Sequence, residues 1–156
     1  MTPANNDSRA HGTERTAVPL SVRRKLVESG QTLGAEQWHR LPVAARRRLE
    51  HMPSETVTDR RTFATLVDWL RLTFVTPGRV PQWRRLPAQG TWPWREDRAP
   101  DRVARALAHA PIDWATLDVD RRFGLVEAST ASDSGALARY VDELTALVED
   151  RSSDVA

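Results

Sequence analysis

The sequence contains no cysteine, only one lysine (Lys25), and no apolar run close to the roughly 18 residues that a membrane-spanning helix needs. Without cysteine there can be no disulfide, no thiolate metal ligand and no cysteine nucleophile, which fits a reducing compartment. The first 17 residues are polar and lack the apolar core of a secretory signal. We therefore expect a cytoplasmic protein without a membrane segment.

Several motifs of enzymes and metal sites are also missing. There is no glycine-rich phosphate loop and no Gly-x-Ser-x-Gly nucleophile elbow. The four histidines form no HxxxH pair, so a structural zinc site is not expected. Asp118 and Asp120 flank a predicted helix start, where capping explains them better than acid–base catalysis. We predict a protein that is not an enzyme, with no catalytic residues, metal or cofactor.

Charge is distributed unevenly along the chain. Residues 1–110 carry 19 basic and 11 acidic side chains, a net charge of +8, whereas residues 111–156 carry 4 and 10, a net charge of −6. The two regions could pair within the molecule or present opposite patches to partners. Arginine supplies 22 of the 23 basic residues, a bias that a GC-rich genome alone would also produce.

The periodicity of apolar residues predicts an all-α protein, a compact single-domain helical bundle over residues 17–149. The longest helix should begin at Ser54 or Thr58 and end before Pro77-Gly78, because its apolar residues recur every three or four positions. This apolar face is predicted to consist of Phe63, Leu66, Val67, Leu70 and Phe74. Residues 1–16 read as a disordered arm and residues 150–156 as a frayed end.

Residues 77–100 interrupt the helical pattern with five prolines, yet they contain Trp83, Trp92 and Trp94. Prolines disfavour helix and central strand, while a disordered linker rarely holds so much aromatic surface. We predict an ordered, extended Pro/Trp-rich segment that crosses the helices. Its rings could either close the core or anchor a partner, since tryptophan is enriched at interface hot spots.

Two parts of the chain share the spacing W-x2-L-x-V-x2-R-x2-L, offset by 76 residues. The pattern predicts two similar helix–corner–helix units, in which the tryptophan and leucine of a short turn pack on the following helix. The matched positions are Trp38, Leu41, Val43, Arg46 and Leu49 in the first copy, and Trp114, Leu117, Val119, Arg122 and Leu125 in the second.

The same residues resemble a known family. The first half carries Val18-Pro19-Leu20, Arg23, Lys25-Leu26, Gly30, Leu33, Gln37-Trp38, Arg46, Leu49 and Pro53, and the second half carries Trp92-Pro93, Trp114, Leu117 and Arg122-Phe123. Over roughly residues 18–127 this pattern is similar to the nitrate reductase-associated protein family. The resemblance implies an accessory role in nitrate assimilation, with nitrate reductase as partner and the molybdenum cofactor or its biosynthetic proteins as further partners. The family has no assigned reaction, so no residue roles are implied.

Arginine clusters with tryptophans nearby are the remaining candidates for a binding site. Arg23, Arg24 and Lys25 lie on one predicted helix, and Arg46, Arg47 and Arg48 lie on another. Consecutive helical residues point about 100° apart, so these side chains could simply form solvated faces. Alternatively, they converge on an anionic partner, because the arginine fork suits carboxylate and phosphate. The predicted partner-binding set adds Trp83, Trp92 and Trp94.

Our first interpretation is therefore a non-enzymatic accessory protein that binds nitrate reductase and assists its maturation or cofactor loading. The alternative is an Arg/Trp-rich protein that binds nucleic acid or acts as a regulator. The acidic C-terminal region disfavours nucleic acid, because it would repel phosphates or compete for the arginines.

Overall fold

The computed structural model describes residues 17–76 and 91–153, and the side chains up to residue 150. Within these ranges every regular element is helical and no strand occurs, which confirms the all-α prediction. The α-helices are α1 (Leu20–Glu28), α2 (Ala35–Arg40), α3 (Val43–His51), α4 (Val57–Leu70), α5 (Asp101–Leu107), α6 (Val119–Thr130) and α7 (Ala136–Ser153). None of the helices described is long and apolar enough to cross a membrane.

The chain divides into two compact units, Met1–Ala88 with α1–α4 and Gln89–Ala156 with α5–α7. The single domain predicted over residues 17–149 stays a prediction. The predicted arm at 1–16, most of the Pro/Trp-rich segment (77–90) and the end at 154–156 lie outside the described residues. Helix α7 is regular up to Ser153, beyond the predicted boundary at Glu149.

Local sequence signals explain most of the helix boundaries. Pro19 and Pro42 occupy the N-cap positions of α1 and α3, where a missing N–H costs nothing. Gly30 follows the end of α1 with φ of 66°, in the left-handed region that glycine adopts without strain. The Asp118 side chain accepts a hydrogen bond from the Arg121 amide and caps α6, as predicted.

The N-cap of α4 differs from the prediction, because it is Thr56 and neither Ser54 nor Thr58. The Thr56 hydroxyl accepts from the Asp59 amide at 3.0 Å, and an Asp59 carboxylate oxygen accepts from the Thr56 amide at 2.9 Å. This reciprocal capping box satisfies two orphan donors of the first turn. The Thr56 backbone N–H and hydroxyl hold the pKa of Asp59 below its usual value.

In the first unit, α1, α3 and α4 pack around one apolar cluster. Its fully buried members come from three helices, since Val22 lies on α1, Leu49 on α3, and Phe63 and Val67 on α4. The Trp38–Leu41 corner of the first repeat is buried in the same cluster. Leu49 of α3 belongs to this cluster too, and packing of the corner on α3 itself stays a prediction.

The second unit is built on the contact between α6 and α7. Gly124 on α6 permits this approach, because a Cβ at this position would overlap the ring of Tyr140 on α7. Trp114, Leu117 and Leu125 of the second repeat are buried in the cluster. In both repeats the tryptophan and the two leucines are therefore buried.

Candidate functional site

The predicted arginine–lysine cluster on α1 lies largely inside the first unit. Arg24 is 4% exposed and Lys25 is 6% exposed, although both were predicted to face solvent or a partner. Arg24 Nη1 donates to Glu28 Oε2 at 2.9 Å and to the Ser54 hydroxyl at 3.2 Å. The predicted surface position of both residues is therefore wrong. For Arg24, the ion pair with Glu28 and the hydrogen bond to Ser54 make burial of the guanidinium tolerable.

Lys25 has a different structural role at the end of α3. Its Nζ donates to the carbonyl oxygens of Glu50 at 2.6 Å and Leu49 at 3.3 Å. These carbonyls belong to the last turn of α3. Carbonyl groups there have no hydrogen-bond donor within the helix, and they carry the partial negative charge of the helix dipole. The single lysine of the chain thus joins α1 to the C-terminal end of α3.

The other predicted cations have mixed environments. Arg23 and Arg47 are exposed, and partner binding by them stays a prediction. Arg46 is half-buried, and its Nε finds no hydrogen-bond partner among the described residues. Since Arg24 and Lys25 face inward, the structure leaves no continuous cationic face on α1.

The described tryptophans of the Pro/Trp-rich segment lie on the second unit. Trp94 is buried and meets the ring of Phe123 edge-on, with centroids 4.9 Å apart. Trp92 is half-buried and stacks on Trp94 at 5.2 Å. Trp94 is therefore a core residue, which agrees with the prediction that these rings close the core and not with the prediction that they anchor a partner. Trp83 lies outside the described residues.

A site that sequence reasoning missed lies in the first unit, between α3 and α4. It is an open groove of about 260 Å³. Its lining residues are Pro42, Ala44, Ala45, Arg48, Leu66, Trp69, Leu70 and Phe74. Trp69 is 56% exposed and Phe74 is 38% exposed, although large aromatic side chains are usually buried more fully.

The aromatic wall of this groove depends on a change of helix type. After Leu70, α4 continues as a π-helical turn over Arg71–Val75, and the Thr76 amide bonds the Arg71 carbonyl at 2.7 Å. In a regular α-helix Phe74 would point about 140° away from Trp69, five residues earlier. The π turn joins residues five apart and brings these rings edge to face, 6.3 Å between centroids and 86° between planes.

This π turn also overturns one prediction about the core. The 3.6-residue period placed Phe74 on the inward face with Phe63 and Leu70, whereas Phe74 is exposed and Val75 is buried. The extra residue per turn rotates the positions that follow. Trp69 lies outside the predicted apolar stripe. A bulky aromatic residue on the polar face of this amphipathic helix was the sequence signal that could have indicated the groove.

Electrostatically, the groove is simple. Arg48 is the charged residue of the lining, and it lies exposed on the α3 side of the groove. An aromatic surface with an adjacent guanidinium can bury apolar side chains and also pair with a carboxylate. Among the residues described, no three imidazole or carboxylate side chains are placed to hold a metal ion.

The fold and this groove define a class, namely an all-α protein with an exposed, largely apolar groove in its first unit. The family model of the conserved nitrate reductase-associated protein matches residues 11–147, and the chain belongs to this family. The family resemblance seen in the sequence is thereby confirmed. No curated protein and no solved structure gives a significant match to the chain.

Proposed function

We propose that this protein is a non-enzymatic, cytoplasmic accessory protein that binds nitrate reductase through the groove between α3 and α4. The single observation that carries the proposal is the exposed aromatic pair Trp69–Phe74 in a groove otherwise lined mainly by alanine, leucine and proline side chains. The family description supplies the partner, because it names an association with nitrate reductase.

Physical chemistry favours a protein contact at this position. A tryptophan side chain offers roughly 150–250 Å² of surface, and burial contributes about 25 cal/mol per Å². Covering the exposed part of Trp69 would therefore contribute about 2–3 kcal/mol to binding. Tryptophan and arginine are also the residues most enriched at interface hot spots, and Trp69 and Arg48 line the same groove.

The family description names an association with nitrate reductase and no particular step. We propose maturation of nitrate reductase or loading of its molybdenum cofactor, with the protein presenting or holding a segment of the enzyme. The nucleic-acid alternative loses support, since burial of Arg24, Lys25 and Trp94 removes several of the side chains that motivated it.

Biolayer interferometry with immobilised nitrate reductase tests the proposal. Trp69→Ser should weaken binding at least tenfold, whereas Val27→Ser should bind like the wild type. Val27 is a matched control, because it is another exposed apolar residue of the first unit and does not line the groove. Equal binding by the wild type and Trp69→Ser would remove the groove from the interface, and no binding by the wild type would end the proposal.

A further inference from the structure

A second exposed apolar surface lies on α7 in the other unit. Leu147 is 47% exposed and Val148 is also exposed, although both continue the stripe that begins at the buried Leu144. Residues three and four apart share one side of a helix, so these three form a single apolar face. The face emerges from the core toward the C-terminal end of α7.

Acidic residues flank this face on α7 itself. Arg121 of α6 lines the same pocket as Leu147 and Val148, and it pairs with Asp118 at 3.4 Å. Glu143 and Asp150 are exposed and lie four residues before and three residues after Leu147, so both neighbour its side chain on the helix surface. The groove between α3 and α4 has the opposite character, since it is apolar with Arg48 in its lining and the exposed Arg47 next in sequence. The two surfaces complement each other in hydrophobicity and in charge.

We propose that the groove of one copy of this protein receives the Leu147–Val148 end of α7 from a second copy. Leu147 and Val148 would contact Trp69 and Phe74, while the neighbouring carboxylates would face Arg48. This is the helix-in-groove mode of recognition, in which apolar residues spaced three and four apart anchor an amphipathic helix.

The association should be weak. A contact made by one helix end in one groove is expected to be smaller than the roughly 800 Å² per partner of a standard stable interface. We expect a dissociation constant on the order of 10–100 µM, typical of a transient contact. Because nitrate reductase is proposed to use the same groove, its binding would displace the second copy.

Sedimentation velocity on the full-length free protein, from about 5 to 500 µM, tests this inference without nitrate reductase. The wild type and the control Val27→Ser should shift toward larger species as concentration rises. Trp69→Ser and Leu147→Asp should each remain monomeric. An equimolar mixture of these two variants should associate again, because the first retains an intact α7 and the second retains an intact groove.

A charge variant keeps the test independent of apolar substitutions. Arg48→Glu should weaken association several-fold, and raising the salt concentration from 0.05 to 0.5 M should weaken the wild type, since exposed ion pairs are screened. Circular dichroism should show that every variant is folded. A wild type that stays monomeric up to 500 µM, or a mixture that fails to associate, would overturn the proposal. Undiminished association of Trp69→Ser would do the same.

Discussion

The guanidinium of Arg122 lies over the indole ring of Trp114, 5.2 Å from its centroid. Its Nε donates to the Trp114 carbonyl oxygen at 3.0 Å, and its Nη2 donates to the Ala115 carbonyl oxygen at 3.0 Å. One side chain thus fixes both the ring and the backbone of the second corner. Arg46 holds the matching position in the first corner, with its Nε lacking a partner among the described residues.

Arg122→Gln should therefore destabilise the protein more than Arg46→Gln. Hydrogen bonds from a charged donor contribute about 1.5–3 kcal/mol, so we expect a loss of about 2 kcal/mol at Arg122. Arg46→Gln should cost less than about 1 kcal/mol, because no comparable hydrogen bond of its Nε is lost. Urea unfolding of both variants measures the difference, and equal losses would contradict the assignment of different roles to the two repeat arginines.

Glu28→Gln tests the buried ion pair on α1. Removing one partner of a buried pair leaves an uncompensated charge and typically costs about 3–5 kcal/mol. We expect a loss near the lower end, since Arg24 keeps the Ser54 hydroxyl as an acceptor. The exposed Glu36→Gln on α2 serves as the control and should unfold like the wild type. A loss under about 1 kcal/mol at Glu28 would show that the pair is not buried as described.

Thr56→Ala tests the cap of α4 and the pKa of Asp59. Loss of an N-cap hydroxyl costs about 1 kcal/mol, and NMR titration should show that the depressed pKa of Asp59 rises toward its usual value of about 3.9. It should not reach that value, because the Thr56 backbone N–H still donates to Asp59.

The pH dependence of this cap follows from the direction of the shift. Because folding lowers the pKa of Asp59, its stabilisation is present above the unfolded pKa of about 3.9 and is lost as pH falls through the folded value. Thr56→Ala should therefore reduce the loss of stability with acid below about pH 4. An Asp59 pKa that is the same in both proteins would contradict the capping geometry.

Substitution of two tryptophans should affect the stability of the protein to very different extents. Trp94→Ala should cost about 3–5 kcal/mol, because the ring is buried against Phe123. Trp69→Ala should change the melting temperature little, since more than half of this side chain is exposed. Thermal melts of the two variants compare them directly. A strongly lowered melting temperature for Trp69→Ala would place that ring in the core.

Helix positions followed from the sequence wherever a local rule governed them. The capping role of Asp118 predicted the start of α6, and the shared spacing predicted two similar corners, whose tryptophans and leucines are buried in both copies. These features depend on neighbours within a few residues, which a single sequence contains.

The candidate site was less predictable, because it depends on departures from regular geometry and on burial. The period of an α-helix cannot reveal that the turn after Leu70 is π-helical, so Phe74 was placed in the core and Trp69 was overlooked. Likewise, a run of Arg24 and Lys25 reads as surface until Glu28, Ser54 and the end of α3 are seen around it.

Hydrogen–deuterium exchange of the protein with and without nitrate reductase tests whether the groove between α3 and α4 is the contact surface, because amides covered by a partner exchange more slowly. We expect slower exchange in the complex at the α3 side of the groove (42–48) and at its α4 and π-turn side (66–75). Exchange in α1 should stay unchanged around the exposed Val27. If the complex forms and neither side of the groove is protected, nitrate reductase does not bind there.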